Sequence, residues 1–386
     1  MRYAVTLLFA LSCIANSQTS ITKLKANAGT TVQVLYVSDG TTLSTYDIDP
    51  RTLQPSLVGT IPLPKPQVNQ MVTSSDGRFL YIMASDPYPA TDNAIYVYDT
   101  NGSGLPGNPS QTLPAVDDLS MIVDPNDNFL YFVRMGTKAT LQETLPWWIL
   151  RYEVNATNGE LTNLTKEATY LLPAQATNDC SLSIVGMKSD GTEIYDFDWC
   201  GTHEGENAFY DQRTVNSQSG ALGSPQPIFS WSSLGFPESV QFVKNLKFAF
   251  SYPIPNEPYN ELQVYPITSN SALITCTAAT LEACGSDTGV AHPSAKYVFY
   301  TNPADNTTEV DAVDLSSKQI VPTGTTFSSG ASSTLRFSPD GSIVYSWQGS
   351  IGTISIFGFN AATAAITTGG SVTQANTFSV LPAERR

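Results

Sequence analysis

Three side chains in this sequence are suited to move a proton beside other polar groups: Glu238, His203 and Asp287. His203 opens the run His-Glu-Gly-Glu, where Glu204 and Glu206 could tune it as a general base; a histidine in a glycine-containing loop equally reads as a solvated side chain. Arg134 and Arg336 are cations that could meet an anionic small molecule, or use their long stems to bridge packed strands. Asn69, Asp118 and Asp179 offer the amide and carboxylate groups that hydrogen-bond a sugar-like ring. Trp148, after Pro146 and Trp147, offers a face for stacking on such a ring, and either tryptophan could instead cover a sheet.

Other motifs carry no chemistry. Gly102, Gly104 and Gly107 satisfy G-x-G-x-x-G, but no helical pattern follows and Pro106 lies inside, so this is a turn rather than a phosphate cradle. Asp99, Asn101 and Ser103 open like a calcium loop, yet Ser110 stands where a bidentate glutamate is required. Asn101, Asn155, Asn163 and Asn306 begin Asn-x-Ser/Thr triplets. No metal or organic cofactor is called for. A formal net charge of −15 and a pI near 4.4 argue against nucleic acid and anionic membrane surfaces as partners. What remains is a small-molecule or cell-surface ligand, bound by a monomer.

The start of the chain reads as an export signal over residues 1–17. Arg2 supplies positive charge, Ala4 to Ala15 an apolar run too short to span a bilayer, and Ala15-Asn16-Ser17 a small-residue cleavage pattern. Residues 18–31 then form a linker, and the chain is secreted or periplasmic. Cys13 offers an alternative, a lipid-modified cysteine. Beyond residue 17 stand Cys180, Cys200, Cys276 and Cys284, an even number that in an exported chain suggests two disulfides. Cys180 and Cys200 lie symmetrically about Asp190, the tip of an apparent hairpin, and Cys276 with Cys284 would close a short loop.

What must position these residues is a repeat of about fifty residues. A polar turn leads into a strand bearing an aromatic, as in SSDGRFLY and SPDGSIVY. The aromatics are Tyr36, Tyr81, Tyr131, Tyr195, Phe250, Phe299 and Tyr345. Each is followed by an alternating strand, a second turn and a further short strand, with Tyr46, Tyr98, Tyr152, Arg213, Tyr265, Val313 and Phe357 forming a second column. Asp-Gly turns between alternating apolar runs signal hairpins, and no segment keeps a helical period. Residues 32–386 therefore predict an all-β fold, a seven-bladed β-propeller of four-stranded antiparallel blades. The first copy lacks its inner strand. Thr373 to Glu384 aligns with Pro66 to Gly77 and supplies it, closing the ring.

The repeated phrase S-P-D-G-x-x-x-Y … Y-D-x-D-P-x-T resembles the lactonase-type seven-bladed propellers, a group that includes 6-phosphogluconolactonase-like, muconate-cycloisomerase-like and YVTN-repeat proteins. The likeness covers residues 32–384. It implies a lactone hydrolase or cycloisomerase acting on small anionic or sugar-derived rings; such an enzyme needs a base and a cation near the mouth, and Glu238, His203, Asp287, Arg134 and Arg336 are the groups available. The enzymatic members' Arg-His pair is replaced here by Ser286-Asp-Thr-Gly-Val290, and His292 matches their structural His-Pro. Without that pair, a binding module working through the rim of the central channel is the reading favoured. The rim is built by strand entries and by long connections at Asp86–Tyr88, Lys138–Trp148, His203–Glu206 and Tyr252–Tyr259.

Overall fold

The computed structural model describes residues 32–86, 93–100, 103–115, 118–135, 146–171, 180–200, 207–232, 237–251, 260–267, 272–277, 289–302, 306–330, 334–348, 352–374 and 379–385. They form seven four-stranded antiparallel sheets, each a meander from an inner to an outer strand. From blade 1 to blade 7 the inner strands are Ser379–Arg385, Gln67–Thr73, Asp118–Val123, Cys180–Met187, Pro237–Val243, Val290–Ala291 and Thr334–Phe337. Among the described residues no helix is long and apolar enough to cross a membrane.

Blade 1 is completed from the far end of the chain. Ser379–Arg385 pairs antiparallel with Val32–Ser38, with Tyr36 opposite Leu381. The closing strand starts later than the sequence alignment places it, because Thr373 still belongs to the outer strand of blade 7, Ala365–Thr373. Side chains clamp the join. Gln33 Nε2 donates to Glu384 Oε1 at 2.9 Å, and Arg385 Nη2 meets Asp47 Oδ2 at 2.7 Å.

The core is divided among the seams between blades. Seven apolar clusters lie one at each seam, because every sheet is apolar on both faces and cannot shield either alone. The repeat's aromatic column supplies the central side chain of each seam, and all seven members are fully buried. Burial lifts the Tyr36, Tyr81 and Tyr131 phenols well above their usual pKa, so they stay neutral donors. Tyr36 donates to the Gly104 carbonyl, Tyr81 to that of Gly159 and Tyr131 to that of Gly220, each in the outer hairpin turn of the next blade. Gly159 and Gly220 sit at φ +72° and +70°, and a Cβ on Gly159 would come within 2.4 Å of the Phe79 ring. Only glycine lets the turn approach that closely.

Inner strands of neighbouring blades are joined by side chains that mimic a peptide unit. Gln70 donates to the Met121 carbonyl and accepts from its N–H, at 2.9 and 2.6 Å. Gln241 does the same with Gly289 O and Ala291 N.

The second column of the repeat needs a correction in two blades. Tyr46, Tyr98, Tyr152, Arg213 and Phe357 stand opposite the residue just before the aromatic anchor. In blade 5 that place belongs to Gln263 rather than Tyr265, and in blade 6 to Asp311 rather than Val313. A two-residue shift keeps every side chain on its own face, so alternation alone cannot detect it.

Removing the Tyr131 hydroxyl by Y131F is expected to cost about 1 kcal/mol, since the Gly220 carbonyl loses its donor. Y345F is expected to be neutral or slightly stabilising, because the buried Tyr345 hydroxyl has no hydrogen-bond partner among the described residues. Denaturant melts of both variants beside the parent chain check the contrast.

Candidate functional site

Each blade ends on an outer strand and the next begins on an inner one, so one rim collects the entries to inner strands and the connections from second to third strands. Among the described residues, Asn69, Asp118 and Glu238 lie at inner-strand entries on that rim. Asn69 is the extra residue of a β-bulge between Val68 and Gln70, and Glu238 holds the same place between Pro237 and Ser239. In blade 3 the bulge falls between Asp118 and Ser120. Bulges unpair a residue and re-aim it, and here three of them sit near the strand entries that ring the channel mouth. Asn69 Oδ1 accepts from Ser85 Oγ at 3.3 Å. Nearby, Lys65 pairs with Asp86 at 2.5 Å.

Blade 3 carries a row running outward from the mouth, in which Asp118 stands opposite Arg134 and Arg134 opposite Trp148. Arg134 lies 5.4 Å over the Phe132 ring and donates to the Pro114 carbonyl of blade 2. Trp147 and Trp148 point to opposite faces, as successive strand residues must. Trp147 is buried in the seam with blade 4 and is not available for stacking on a ligand. Trp148 is half-buried against the seam with blade 2. Arg336 lies on the inner strand of blade 7, half-buried, with its guanidinium 5.9 Å over the Trp347 ring.

His203, Asp287 and Asp179 lie outside the described residues, as do most of the long rim connections. Cys180 and Cys200 stand directly opposite each other in the hairpin of blade 4. Cys276 is buried, while Cys284 lies outside the described residues. Among the described residues no group of three or more His, Cys, Asp or Glu could hold a metal ion. A small crevice between blades 4 and 5, lined by Met187, Lys188, Tyr195, Phe242, Lys244 and Ile267, opens on the opposite rim.

Several buried titratable groups serve the seams rather than the mouth. His292 Nε2 donates to the Gly341 carbonyl of blade 7 at 2.9 Å, and its Nδ1 accepts from Ser294 N. Four aromatic rings surround it, Tyr297, Phe299, Phe337 and Phe359. Burial pushes its pKa down to about 4, so it is a neutral latch between blades. Lys247 was invisible as a special residue in the sequence, where it reads as a turn-flanking lysine. The structure buries it, with Nζ donating to the Ile228 carbonyl of blade 4 and lying 5.6 Å from the Tyr265 ring centre. Burial lowers its pKa to about 8. Burial raises Asp311 to about 6, helped by the Glu309 charge.

No family model matches the chain, and no curated protein matches it in sequence. Solved structures do match in fold. A candidate 6-phosphogluconolactonase of Bacteroides fragilis superposes with a TM-score of 0.62 at 14% identity, covering 93% of this chain and 99% of its own. One from Bacteroides uniformis gives 0.62 at 14%, covering 92% and 100%. The periplasmic gluconolactonase of Pseudomonas aeruginosa gives 0.52 at 14%, covering 92% and 99%. The fold is that of the lactonase-like seven-bladed propellers. At this identity the lactonase-like fold is what is shared, and the site must be argued from its own residues.

Two pH-dependent outcomes follow. H292Q loses a latch whose neutral form is favoured in the folded chain, so its deficit is full above pH 6.5. That deficit shrinks as pH falls towards 4, because the unfolded chain takes up the proton first. K247M is expected to stabilise by about 1–2 kcal/mol at pH 7 by removing a buried cation that has no carboxylate against it among the described residues. Its advantage fades as pH rises from 8 to 10.5, where the lysine of the folded chain is already neutral. Thermal melts across pH test both.

Proposed function

We propose that the chain is an exported binding propeller that takes a small-molecule or cell-surface ligand at the channel mouth, and that it acts as a monomer. The observation carrying this reading is the set of bulged inner-strand entries that brings Asn69, Asp118 and Glu238 to one rim, together with Ser286-Asp-Thr-Gly-Val290 where lactonase-type enzymes carry an Arg-His pair. Hydrogen-bonding groups are abundant there and the expected cation–imidazole pair is missing. The apolar start of the chain and the periplasmic location named for the Pseudomonas protein support export. Two disulfides, Cys180–Cys200 and Cys276–Cys284, would suit that compartment.

A second reading is favoured by the gluconolactonase names of the similar structures. In it the mouth opens lactones, with Glu238, His203 or Asp287 as the base and Arg134 or Arg336 neutralising the developing oxyanion. Water would add to the lactone carbonyl, the ring C–O bond would break, and the base would pass the proton to the leaving alkoxide.

Purified mature chain assayed against a panel of sugar lactones separates the two. The binding reading predicts no turnover, with lactones or their acids perturbing the protein and E238Q weakening that binding by about tenfold. Turnover abolished by E238Q or H203A would replace the binding reading with the enzymatic one.

A further inference from the structure

Among the described residues, blade 3 has the longest of the outer strands, Leu161–Leu171, and no strand pairs with its outer edge. An unpaired edge of that kind is a template for another chain. Near the start of this strand the register with Pro146–Val154 slips. Glu153 stands opposite Thr162 and Arg151 opposite Thr165, so Asn163 and Leu164 bulge against Tyr152 alone. Asn163 takes φ +52°, a left-handed conformation that asparagine tolerates better than most residues. Thr162 to Lys166 are all exposed, and Leu164 is one of four large apolar side chains left in water among the described residues, at 49% exposure. Thr165 Oγ1 donates to the Asn163 carbonyl at 3.1 Å, and Asn163 Nδ2 donates to Glu153 Oε2 at 2.7 Å.

We propose that Asn163 is an N-glycosylation site, and that the oligosaccharide it carries covers Leu164 and the free edge of blade 3. The proposal rests on the reading that the chain is exported. Asn163, Leu164 and Thr165 form the acceptor sequence, with a hydroxyl two residues on and no proline between. The co-reactant is an oligosaccharide linked to a lipid diphosphate. The bond from its anomeric carbon to the diphosphate oxygen breaks, that carbon bonds to Asn163 Nδ2, one amide proton passes to water, and the lipid diphosphate leaves with the electron pair. Nothing is oxidised or reduced. The modified amide keeps its second N–H, so the bond to Glu153 survives and the folded bulge accepts the sugar without rearrangement. A bulky polar group beside Leu164 keeps that side chain and the adjoining edge from meeting another chain. The other triplets are less suited to this role. Asn101 lies outside the described residues, Asn155 opens the turn that Arg78 and Tyr81 hold against blade 2, and Asn306 accepts from Ser329 N and Gly330 N.

The test is expression of the full chain in a eukaryotic secretory host, once with its own start and once behind an added secretion leader. Peptide mass spectrometry then reads Asn163 on chain recovered from the medium or from the secretory compartment. The expected result is an N-linked sugar on Asn163 that is lost in T165A and kept in T165S; both variants leave Asn163 itself unchanged. T165A is expected to melt as the parent does but to self-associate in light scattering at concentrations where the parent stays monomeric. L164S in the T165A background is expected to restore the monomer. An unmodified Asn163 in chain carried by the added leader overturns the site. A T165A chain that stays as monomeric as the glycosylated parent overturns the covering role. If the chain is glycosylated only behind the added leader, the export reading fails and the acceptor site stands.

Discussion

A single aromatic side chain per blade, buried against the next blade, is the contact on which this molecule depends. Tyr36, Tyr81, Tyr131, Tyr195, Phe250, Phe299 and Tyr345 each fill one seam, and no sheet could be stable with both faces open to water. Because the seams form a cycle, the last is made only when Ser379–Arg385 completes blade 1. Closure also removes the exposed inner edge that an open ring would leave for pairing with another chain. The tyrosine hydroxyls add direction to a contact that apolar packing leaves free to slide, since donation to a turn carbonyl sets the height of one blade against the next.

Rigidity at the seams leaves variation to the rim. Gln70 and Gln241 fasten inner strands to their neighbours, so bulges beside them hold their residues at fixed places around the mouth. Departures from the repeat are absorbed locally. Where blade 6 carries Asp311 at a position that four other blades fill with an aromatic, burial raises the pKa of its carboxyl and makes the neutral form more accessible. Where blade 5 buries Lys247, a carbonyl and an aromatic ring stand in for a counter-ion.

The same reasoning explains how chains at 14% identity share this architecture. The fold asks for alternation, turns and one large residue per seam, all of which many sequences supply. A reaction asks for particular groups at particular places, and a shared frame does not by itself supply them.

The sequence by itself determined the number of blades, the order of strands and the strand that closes the ring. Each follows from signals within a few residues: Asp-Gly turns, alternation and one anchoring aromatic. It also placed Cys180 opposite Cys200, because a hairpin centred on Asp190 relates them by symmetry. Only the tertiary structure decided what depends on contacts between blades. The two-residue slip at Gln263 and Asp311, the bulges at Asn69 and Glu238, and the later start of the closing strand leave the alternation of side chains readable either way. Lys247 looks like an ordinary polar residue in the chain, and becomes a buried cation because the adjoining blade covers it.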